Sequence, residues 1–447
     1  MNRLPILPRD LGDGLILRRA TIADTDKLVE FNMNIHGDVD TPGDRERLGA
    51  WVGDLLNGSH PTFKPEDFLI VEDQHGAIVS SLNHISQRWT YEGIEFGVGR
   101  PELVGTLPEY RRKGLVRLQM NVSHQWSLER GELVQGLTGI PYYYRQFGYE
   151  MGLALGGAHV GYAPHLPKLA EGEPEPYRVR PVAEADLPFI AEMYALGAAR
   201  SLVACVRDEA MWRYELLHCS PININGRQLR VIENANGAPV GCLAHPGYVW
   251  SPTMMATFYE LKLGVSYLAI TPSVARYLWA TGQTYAERDK SDHQAFGFHL
   301  GPEHPVYEAF GDKLPHPRKP YAWYIRVPDL PAFLRHIAPA LEQRLAVSPF
   351  AGHSGELTLS FYRKGVHLVF DNGRLTTAEP WQPAPDARNP HADANFPDHT
   401  FLHVLFGHRS MDELEHIFRD CWVKEDVTRE LVRALFPKRA SYIWPID

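Results

Sequence analysis

Two stretches of this chain share one pattern of residues, and this repetition constrains the possible folds strongly. The stretches are LRRATIADTDKLVEF at residues 17–31 and VRPVAEADLPFIAEM at residues 179–193. The shared positions are Arg18, Ala23, Asp24, Leu28 and Glu30 in the first stretch and Arg180, Ala185, Asp186, Ile190 and Glu192 in the second. Each stretch is typical of a short strand, a turn and an amphipathic helix. The repetition predicts a duplicated domain rather than one continuous core.

The length of the chain agrees with several domains. With 447 residues, 44% apolar and 22% charged, the composition is that of a globular protein of two to four domains. The stretch YAPHLPKLAEGEPEPY is rich in proline and glycine and reads as a linker after the first segment. We therefore predict domains at residues 1–162, 176–326 and 327–447. The first two are expected to be α/β.

The third segment has a different pattern. VPDLPAFLRHIAPALEQRLA places its apolar residues on one helical face, and GELTLSFYRKGVHLVFDNGRLT alternates apolar and polar residues around two turn signals. MDELEHIFRD and VTRELVRALF are two further helical patterns. Helices combined with an antiparallel meander predict an α+β domain.

Charge and composition exclude several classes of partner. The net charge of −9 argues against binding to nucleic acid, and no apolar run approaches the length of a membrane span. The four cysteines lie far apart without a Cys-x-x-Cys pair, which indicates free thiols in a reducing cytoplasm. His391, Asp393 and His399 in the loop HADANFPDH match no zinc spacing, so we expect no metal.

The stretch PEYRRKGLVR, residues 108–117, lies between a predicted strand and a predicted helix. Leu103, Val104 and Thr106 fit the end of the strand, and the helix follows in LVRLQMNVSHQWSLERG. The first N–H groups of a helix are unpaired, and a preceding glycine lets a ligand approach them closely. The pattern predicts a pyrophosphate site, with a solvated charged loop as the alternative.

This part of the chain resembles the GNAT superfamily of acetyl-CoA-dependent N-acetyltransferases. The resemblance lies in the order of a strand, the turn RRKGLV, a helix, the strand GELVQGLTG and the stretch GIPYYYRQFGYE. Arg111, Gly114 and Val116 occupy the three defining positions of the superfamily's coenzyme motif, although Val116 departs from the usual Gly or Ala. The whole chain more closely resembles the enhanced-intracellular-survival type, which acetylates aminoglycosides and tolerates a branched residue there. That type has an active GNAT domain, a GNAT-like domain without a coenzyme motif and a sterol-carrier-like carboxyl-terminal domain.

The resemblance implies which residues hold acetyl-CoA. The end of the strand would pair with the pantetheine arm, the basic turn would hold the pyrophosphate, and the end of the next strand would lie beside the acyl group. These residues are Val104, Gly105, Thr106, Arg111, Arg112, Lys113, Gly114, Leu115, Val116, Arg117, Gly139 and Ile140.

The resemblance also implies two catalytic groups. Tyr144, just before Phe-Gly-Tyr, would be the general acid that protonates the leaving thiolate, with Tyr142 and Tyr143 as competing assignments. The terminal carboxylate of the sequence would take the amine proton, and Asp447 there offers two carboxylates, its side chain and its α-carboxyl. The alternatives are that the tyrosines only pack a core and that the aromatic tail SYIWPID only adds stability.

The expected function is transfer of an acetyl group from acetyl-CoA to a primary amine of an aminoglycoside, a polyamine or a lysine-like acceptor. No covalent enzyme intermediate is expected. The resemblance further implies a homohexamer. The alternative from another class is a catalytically silent acyl-CoA or lipid binder with an apolar tunnel in the third domain.

Overall fold

The computed structural model describes residues 7–41, 43–250, 252–383 and 392–447. The first segment is built on one large sheet with helices on both faces. Its strands are β1 (Arg9–Gly12), β2 (Leu15–Arg19), β3 (Phe68–Glu72), β4 (Ile78–Tyr91), β5 (Ile94–Thr106), β6 (Val134–Leu137) and β7 (Glu150–Leu155). Its helices are α1 (Thr25–His36), α2 (Asp44–Leu56) and α3 (Leu115–Glu129).

Strand β3 shows why this sheet is covered on both sides. Its alternate residues point to opposite faces: Phe68 and Ile70 pack with α1 and α2, whereas Leu69 and Val71 pack with α3. All four side chains are fully buried. A continuous apolar run of this kind is typical of a strand between two helical layers.

Neighbouring strands from β1 to β5 pair antiparallel, and β5 then pairs parallel with β6 after the crossover helix α3. Only Val98–Val134 and Gly99–Gln135 are in register between β5 and β6. Beyond these pairs β5 continues to Thr106 without β6 beside it. The two strands therefore diverge and leave an opening at their carboxyl ends.

The next part of the chain contributes two four-stranded sheets and two strands of the first sheet. Its strands are β8 (Ala158–Tyr162), β9 (Tyr177–Pro181), β10 (Val203–Cys205), β11 (Arg227–Asn234), β12 (Pro239–Pro246), β13 (Thr253–Ala256), β14 (Phe258–Leu261), β15 (Ala295–Phe298), β16 (His316–Arg318) and β17 (Tyr321–Arg326). Its helices are α4 (Leu187–Arg200), α5 (Glu209–Arg213), α6 (Tyr267–Asp289) and α7 (Pro305–Ala309). The sheet orders are β14-β12-β11-β9 and β13-β15-β8-β16.

Strands are exchanged between the segments. β17, from the end of the second segment, lies between β6 and β7 in the first sheet, and β10 pairs with β4. Conversely, β8 is the last strand of the predicted first domain, residues 1–162, but it pairs with β15 and β16 of the second segment. The first two segments are therefore tied together by sheet hydrogen bonds.

The sequence repeat has a common structural basis. Arg18 donates two hydrogen bonds to the carboxylate of Asp24, at 2.9 and 2.8 Å, and Arg180 does the same to Asp186, at 2.7 and 3.0 Å. Each aspartate also accepts an N–H three residues earlier in the chain, at 2.8 Å. The conserved spacing thus closes the same strand-to-helix turn in both copies.

The third segment has the predicted α+β arrangement. Its helices are α8 (Leu330–His336), α9 (Ala338–Ala346), α10 (Phe401–Leu405), α11 (Met411–Ile417) and α12 (Asp426–Leu435). Its strands are β18 (Gly355–Ser360), β19 (Gly365–Asp371), β20 (Arg374–Trp381), β21 (Ala394–Asn395) and β22 (Trp422–Val423). The predicted meander is confirmed, because β18, β19 and β20 pair antiparallel.

The predicted single helix at the start of this segment is two helices. α8 ends before Ile337, and α9 begins with Pro339 in its first turn. Pro339 has no N–H to donate to the carbonyl four residues earlier, and its ring clashes with that carbonyl, so α8 cannot continue through it. Phe333 and Leu341 nevertheless stay on one buried face, in a cluster that includes Trp89 of β4.

Across the described part of the chain, no helix is long and apolar enough to cross a membrane. All four cysteines are free thiols, as predicted. The same described residues contain no group of three or more His, Cys, Asp or Glu side chains that could hold a metal. His391 lies outside the described residues.

Candidate active site

The opening between β5 and β6 is the mouth of a cavity of about 840 Å³, which we call the donor cavity. Its walls are the end of β5, the start of α3 and the segment after β6. The resemblance assigns twelve residues to acetyl-CoA binding, and all of them except Lys113 line this cavity. The Lys113 ammonium lies 5.4 Å from the centroid of the Tyr110 ring. Tyr144 lines the cavity as well.

The basic turn has an unusual backbone. Arg112 has φ of 64° and Gly114 has φ of 76°, so two residues adopt the left-handed region within three positions. Nothing lies within 4 Å of the position that a Cβ would take on Gly114. α3 starts at Leu115, and its first N–H groups have no acceptor within the helix. Such a turn forms a concave anion site at the positive end of a helix dipole.

The cations of this turn are not paired with carboxylates in the described part of the chain. Among the described residues, no carboxylate forms an ion pair with Arg111, Arg112, Lys113 or Arg117; Arg111 instead donates to the Thr106 carbonyl at 3.2 Å, and Arg117 to Gln146 at 2.6 Å. Four unneutralised cations around an open helix start fit a phosphate-bearing ligand.

A β-bulge shapes the opposite wall. Ser81 pairs with Gly105 and Asn83 with Glu102, so two residues of β5 face one residue of β4, and Leu103 has φ of 50°. The bulge bends β5 away from β6. Among the described residues, no strand lies beside the cavity side of the edge from the bulge to Thr106. The Thr106 carbonyl accepts from Arg111, and the other backbone groups on that side can pair with an amide-containing ligand.

Tyr144 lies on a short 3-10 turn, Tyr143–Phe147, and is buried. A Cβ on Gly139 would come within 2.3 Å of the Tyr144 ring, so the ring rests directly on the glycine backbone. Within the described residues the Tyr144 hydroxyl makes no hydrogen bond, and burial, with Glu102 nearby, raises its pKa above the usual value. Tyr143 also lines the cavity, whereas Tyr142 does not and is 74% exposed.

A second cavity of about 850 Å³ lies between the first segment, the second segment and the carboxyl-terminal tail. We call it the acceptor cavity. Leu48, Trp51, Glu102 and Thr138 line both cavities. The two cavities therefore meet at these residues, and Glu102 is the charged one among them.

Three charged side chains meet at this junction. Arg100 is almost fully buried and donates to Asp447 Oδ1 at 2.5 Å and to Glu102 Oε1 at 2.5 Å. Burial raises the pKa of Glu102 to about 7, the attraction of Arg100 lowers it less, and Asp447 adds to the rise. A carboxyl group poised near neutrality between two cavities is suited to proton transfer.

The tail that carries Asp447 is firmly packed. The Arg207 guanidinium lies between the rings of Trp212 and Trp444, 4.4 and 4.5 Å from their centroids, and donates to the Trp444 carbonyl at 3.1 Å. Gln87 of β4 donates to the Ile446 carbonyl at 2.6 Å. These contacts position the last residues of the sequence against β4 and β5.

The acceptor cavity has many acidic residues. Those on its walls, besides the junction carboxylates, are Asp38, Asp40, Asp44, Asp289 and Asp292. Trp51, Trp250 and Trp323 contribute aromatic faces to the same cavity. Acidic groups beside aromatic rings suit a cationic ligand.

Sequence reasoning missed Glu102 and Arg100. A signal was present, because the stretch GRPELVGT places an arginine and a glutamate inside an otherwise apolar strand. Charged residues are seldom buried unless they are paired or functional. The pairing partner Asp447 is distant in sequence, and only the fold brings it near.

The donor cavity and its basic turn lie in a domain that matches a family of acetyltransferases, and the protein is an acetyl-CoA-dependent acyltransferase. Residues 17–152 match the family model described as the acetyltransferase (GNAT) domain. No curated protein matches the chain significantly.

Solved structures share the fold over nearly the whole chain. A conserved protein from Enterococcus faecalis V583, described as a probable N-acyltransferase, has a TM-score of 0.64 at 14% identity, covering 96% of this chain and 98% of its own. A GCN5-related N-acetyltransferase from Kribbella flavida has a TM-score of 0.60 at 18% identity, covering 97% and 98%. Eis1 from Mycobacterium abscessus has a TM-score of 0.60 at 12% identity, covering 97% and 100%. At these identities the likeness concerns the fold.

Proposed function

We propose that this protein transfers an acetyl group from acetyl-CoA directly to a primary amine of a cationic acceptor. The observation that carries the proposal is the position of Glu102, which lines both cavities and shares Arg100 with Asp447. A group at the junction of two cavities can act on a proton of one ligand while the other ligand is held beside it.

The donor side holds the coenzyme. Acetyl-CoA supplies an acetyl group already activated as a thioester. The turn from Arg111 to Arg117 would bind its pyrophosphate, and the open edge from Val104 to Thr106 would pair with the pantetheine arm. Gly139 and Ile140 would lie beside the acyl end. The size of the cavity and its unpaired cations support this assignment.

The carboxylates at the junction would take the proton of the acceptor amine. An amine with a pKa near that of lysine is protonated at neutral pH and must lose a proton before it can attack. Glu102 and Asp447 both accept hydrogen bonds from Arg100, so the two carboxylates are held together at the junction. We assign the base role to this pair.

Tyr144 would protonate the leaving thiolate. Its hydroxyl is buried on the donor side, and because its pKa is raised it carries a proton at neutral pH that can pass to the thiolate. The rigid support from Gly139 fixes the ring. Tyr143 is the remaining alternative on the cavity wall.

The acceptor class follows from the acidic walls of the acceptor cavity, which suit an aminoglycoside, a polyamine or a lysine-like amine. A silent acyl-CoA binder would need no proton-transfer group at the junction. The pair of carboxylates beside the acceptor cavity therefore favours the transferase over the silent binder.

Four further features are proposals from the resemblance. They are a second GNAT-like domain without coenzyme binding, a sterol-carrier-like third domain, a homohexamer and a cytoplasmic location. The α+β order of the third segment supports its assignment.

Calorimetric titration with acetyl-CoA tests the donor site. Saturable binding is expected for the wild type and no binding for Gly114→Glu, because a carboxylate would occupy the proposed pyrophosphate site. Gly131→Glu is the matched control, since Gly131 follows the other end of α3, has φ of 70° and has equally open surroundings. Thiol release over a panel of amines then tests transfer. Absent binding by the wild type, or equal binding by Gly114→Glu, would contradict the proposal.

A further inference from the structure

We infer that Arg227 binds an anionic group of the acceptor, so that the preferred acceptor carries a carboxylate or a phosphate as well as its reactive amine. This inference rests on the proposed function, because it concerns the ligand of the same acceptor cavity. It narrows the acceptor from cations in general to amines that also carry a negative charge.

The three arginines of the acceptor cavity differ in their partners. Arg47 pairs with Asp289 at 3.1 Å, and Arg100 pairs with both junction carboxylates. Arg227 also lines the cavity, yet within the described chain it forms no ion pair with a carboxylate. A half-buried arginine without a counter-ion, in a cavity otherwise rich in aspartates, indicates that the ligand supplies the negative charge.

The Arg227 side chain is held in place by its own loop. Nη1 donates to the carbonyl of Asn225 at 2.7 Å and to that of Gly226 at 3.4 Å. Its Nε is buried and has no hydrogen-bond partner within the part of the chain that the structure describes. The guanidinium is therefore oriented in advance, and Nη2, which donates to no group among the described residues, is left for a ligand. Preorganised donors lower the cost of binding a planar anion such as a carboxylate.

His299 lies on the same side of the cavity and adds to the subsite. Its ring makes no side-chain hydrogen bond among the described residues, and it packs edge-on against Trp250 at a centroid distance of 5.2 Å. Burial lowers the pKa of His299 to about 4, with Arg227 among the smaller contributors. The imidazole is thus neutral at physiological pH, and it can donate one hydrogen bond to an anion beside Arg227.

The cavity consequently carries groups of both charges. Asp38, Asp40 and Asp44 line it from the first segment, whereas the second segment contributes Arg227 and His299 as well as Asp289 and Asp292. A simple polyamine would pair with the aspartates and leave the guanidinium of Arg227 without a counter-charge. An amine that also bears an anion can pair with the aspartates and with Arg227.

Matched pairs of amines test the inference. L-lysine and cadaverine differ only by the α-carboxylate, and glucosamine 6-phosphate and glucosamine differ only by the phosphate. The wild type is expected to show a higher kcat/KM for the anionic member of at least one pair, mainly through KM. The responsive pair distinguishes a carboxylate subsite from a phosphate subsite.

Arg227→Gln is expected to lower that preference about ten- to a hundredfold, the range of a charge-assisted hydrogen bond. Arg227→Lys should restore part of it. Arg318→Gln is the charge control, because Arg318 is a nearby arginine of the same segment that does not line the cavity. A preference that is absent in the wild type, or that Arg227→Gln leaves intact, would overturn the inference.

Failure of the proposed acetyl transfer can be distinguished from failure of the Arg227 subsite. If none of these amines releases coenzyme A thiol, the same pairs are titrated calorimetrically into the protein. Tighter binding of the anionic member, lost in Arg227→Gln, supports the subsite independently of catalysis. Equal binding of both members refutes it. His299→Gln provides a second variant if Arg227→Gln does not fold.

Discussion

Replacing Glu102 by glutamine should change stability and activity in opposite directions. One pKa unit corresponds to about 1.4 kcal/mol. A rise from 4.5 to about 7 therefore means that ionisation of Glu102 costs about 3 kcal/mol more in the folded protein than in the unfolded chain. Because the folded state holds this proton more tightly, the contribution of Glu102 to stability is present below pH 4.5 and is lost as pH rises to 7.

Glutamine is neutral at every pH, so the variant does not lose this contribution to the free energy of unfolding as pH rises. Relative to the wild type, Glu102→Gln should gain up to about 3 kcal/mol in free energy of unfolding between pH 4.5 and pH 8. The activity should fall by about 10²- to 10⁴-fold, the usual contribution of a general base. The rise of kcat/KM through neutral pH should disappear or move.

The assays are urea unfolding at pH 5 and pH 8, followed by the fluorescence of the 10 tryptophans, and initial rates of thiol release across the same range. Glu95→Gln is the matched control, because Glu95 lies on the same strand but is half exposed and pairs with Arg88 at the surface. A stability difference that does not change with pH, or an unchanged pH–rate profile in Glu102→Gln, would refute the reasoning.

Three further changes test the surrounding structure. Gly139→Ala places a Cβ 2.3 Å from the Tyr144 ring. Calorimetry should therefore show weaker acetyl-CoA binding, and thermal melting should show that the free energy of unfolding falls by about 1–3 kcal/mol. Tyr144→Phe should lower kcat by about 10²-fold or more. The affinity for acetyl-CoA and the melting temperature should not change, because the Tyr144 hydroxyl makes no hydrogen bond within the described residues. A larger loss of kcat in Tyr143→Phe would contradict the assignment. Arg207→Met leaves Glu215 as a buried carboxylate without its partner and should cost about 3–5 kcal/mol in urea unfolding. Adding Glu215→Gln should recover part of that loss, and no recovery would argue against the ion pair as its cause.

The local parts of the site could be predicted from the sequence. The turn before α3 was recognisable because a glycine between a strand and a helix pattern specifies its own backbone, and Gly114 indeed has φ of 76°. The turn between β19 and β20 was similarly predicted by Asp-Asn-Gly, where Asn372 and Gly373 both have positive φ. The split between α8 and α9 had a local cause in Pro339, although the periodicity of the apolar residues suggested one helix.

The long-range parts could not be predicted. The insertion of β17 between β6 and β7 depends on pairing between strands that are distant in sequence. Backbone hydrogen bonds are the same for every residue type, so the sequence of one strand does not identify its neighbour. The unequal partners of Arg47, Arg100 and Arg227 likewise depend on which segments form the acceptor cavity.

By itself, the sequence determined the strand-to-helix turns, the ion pairs Arg18–Asp24 and Arg180–Asp186 that close two of them, and the basic turn of the donor site. Neighbouring residues set the dihedral angles and hydrogen bonds of each. Only the tertiary structure decided that Glu102 and Asp447 share Arg100 at the junction of two cavities. The raised pKa of Glu102 comes from burial, and burial is a property of the whole packed chain rather than of any short stretch.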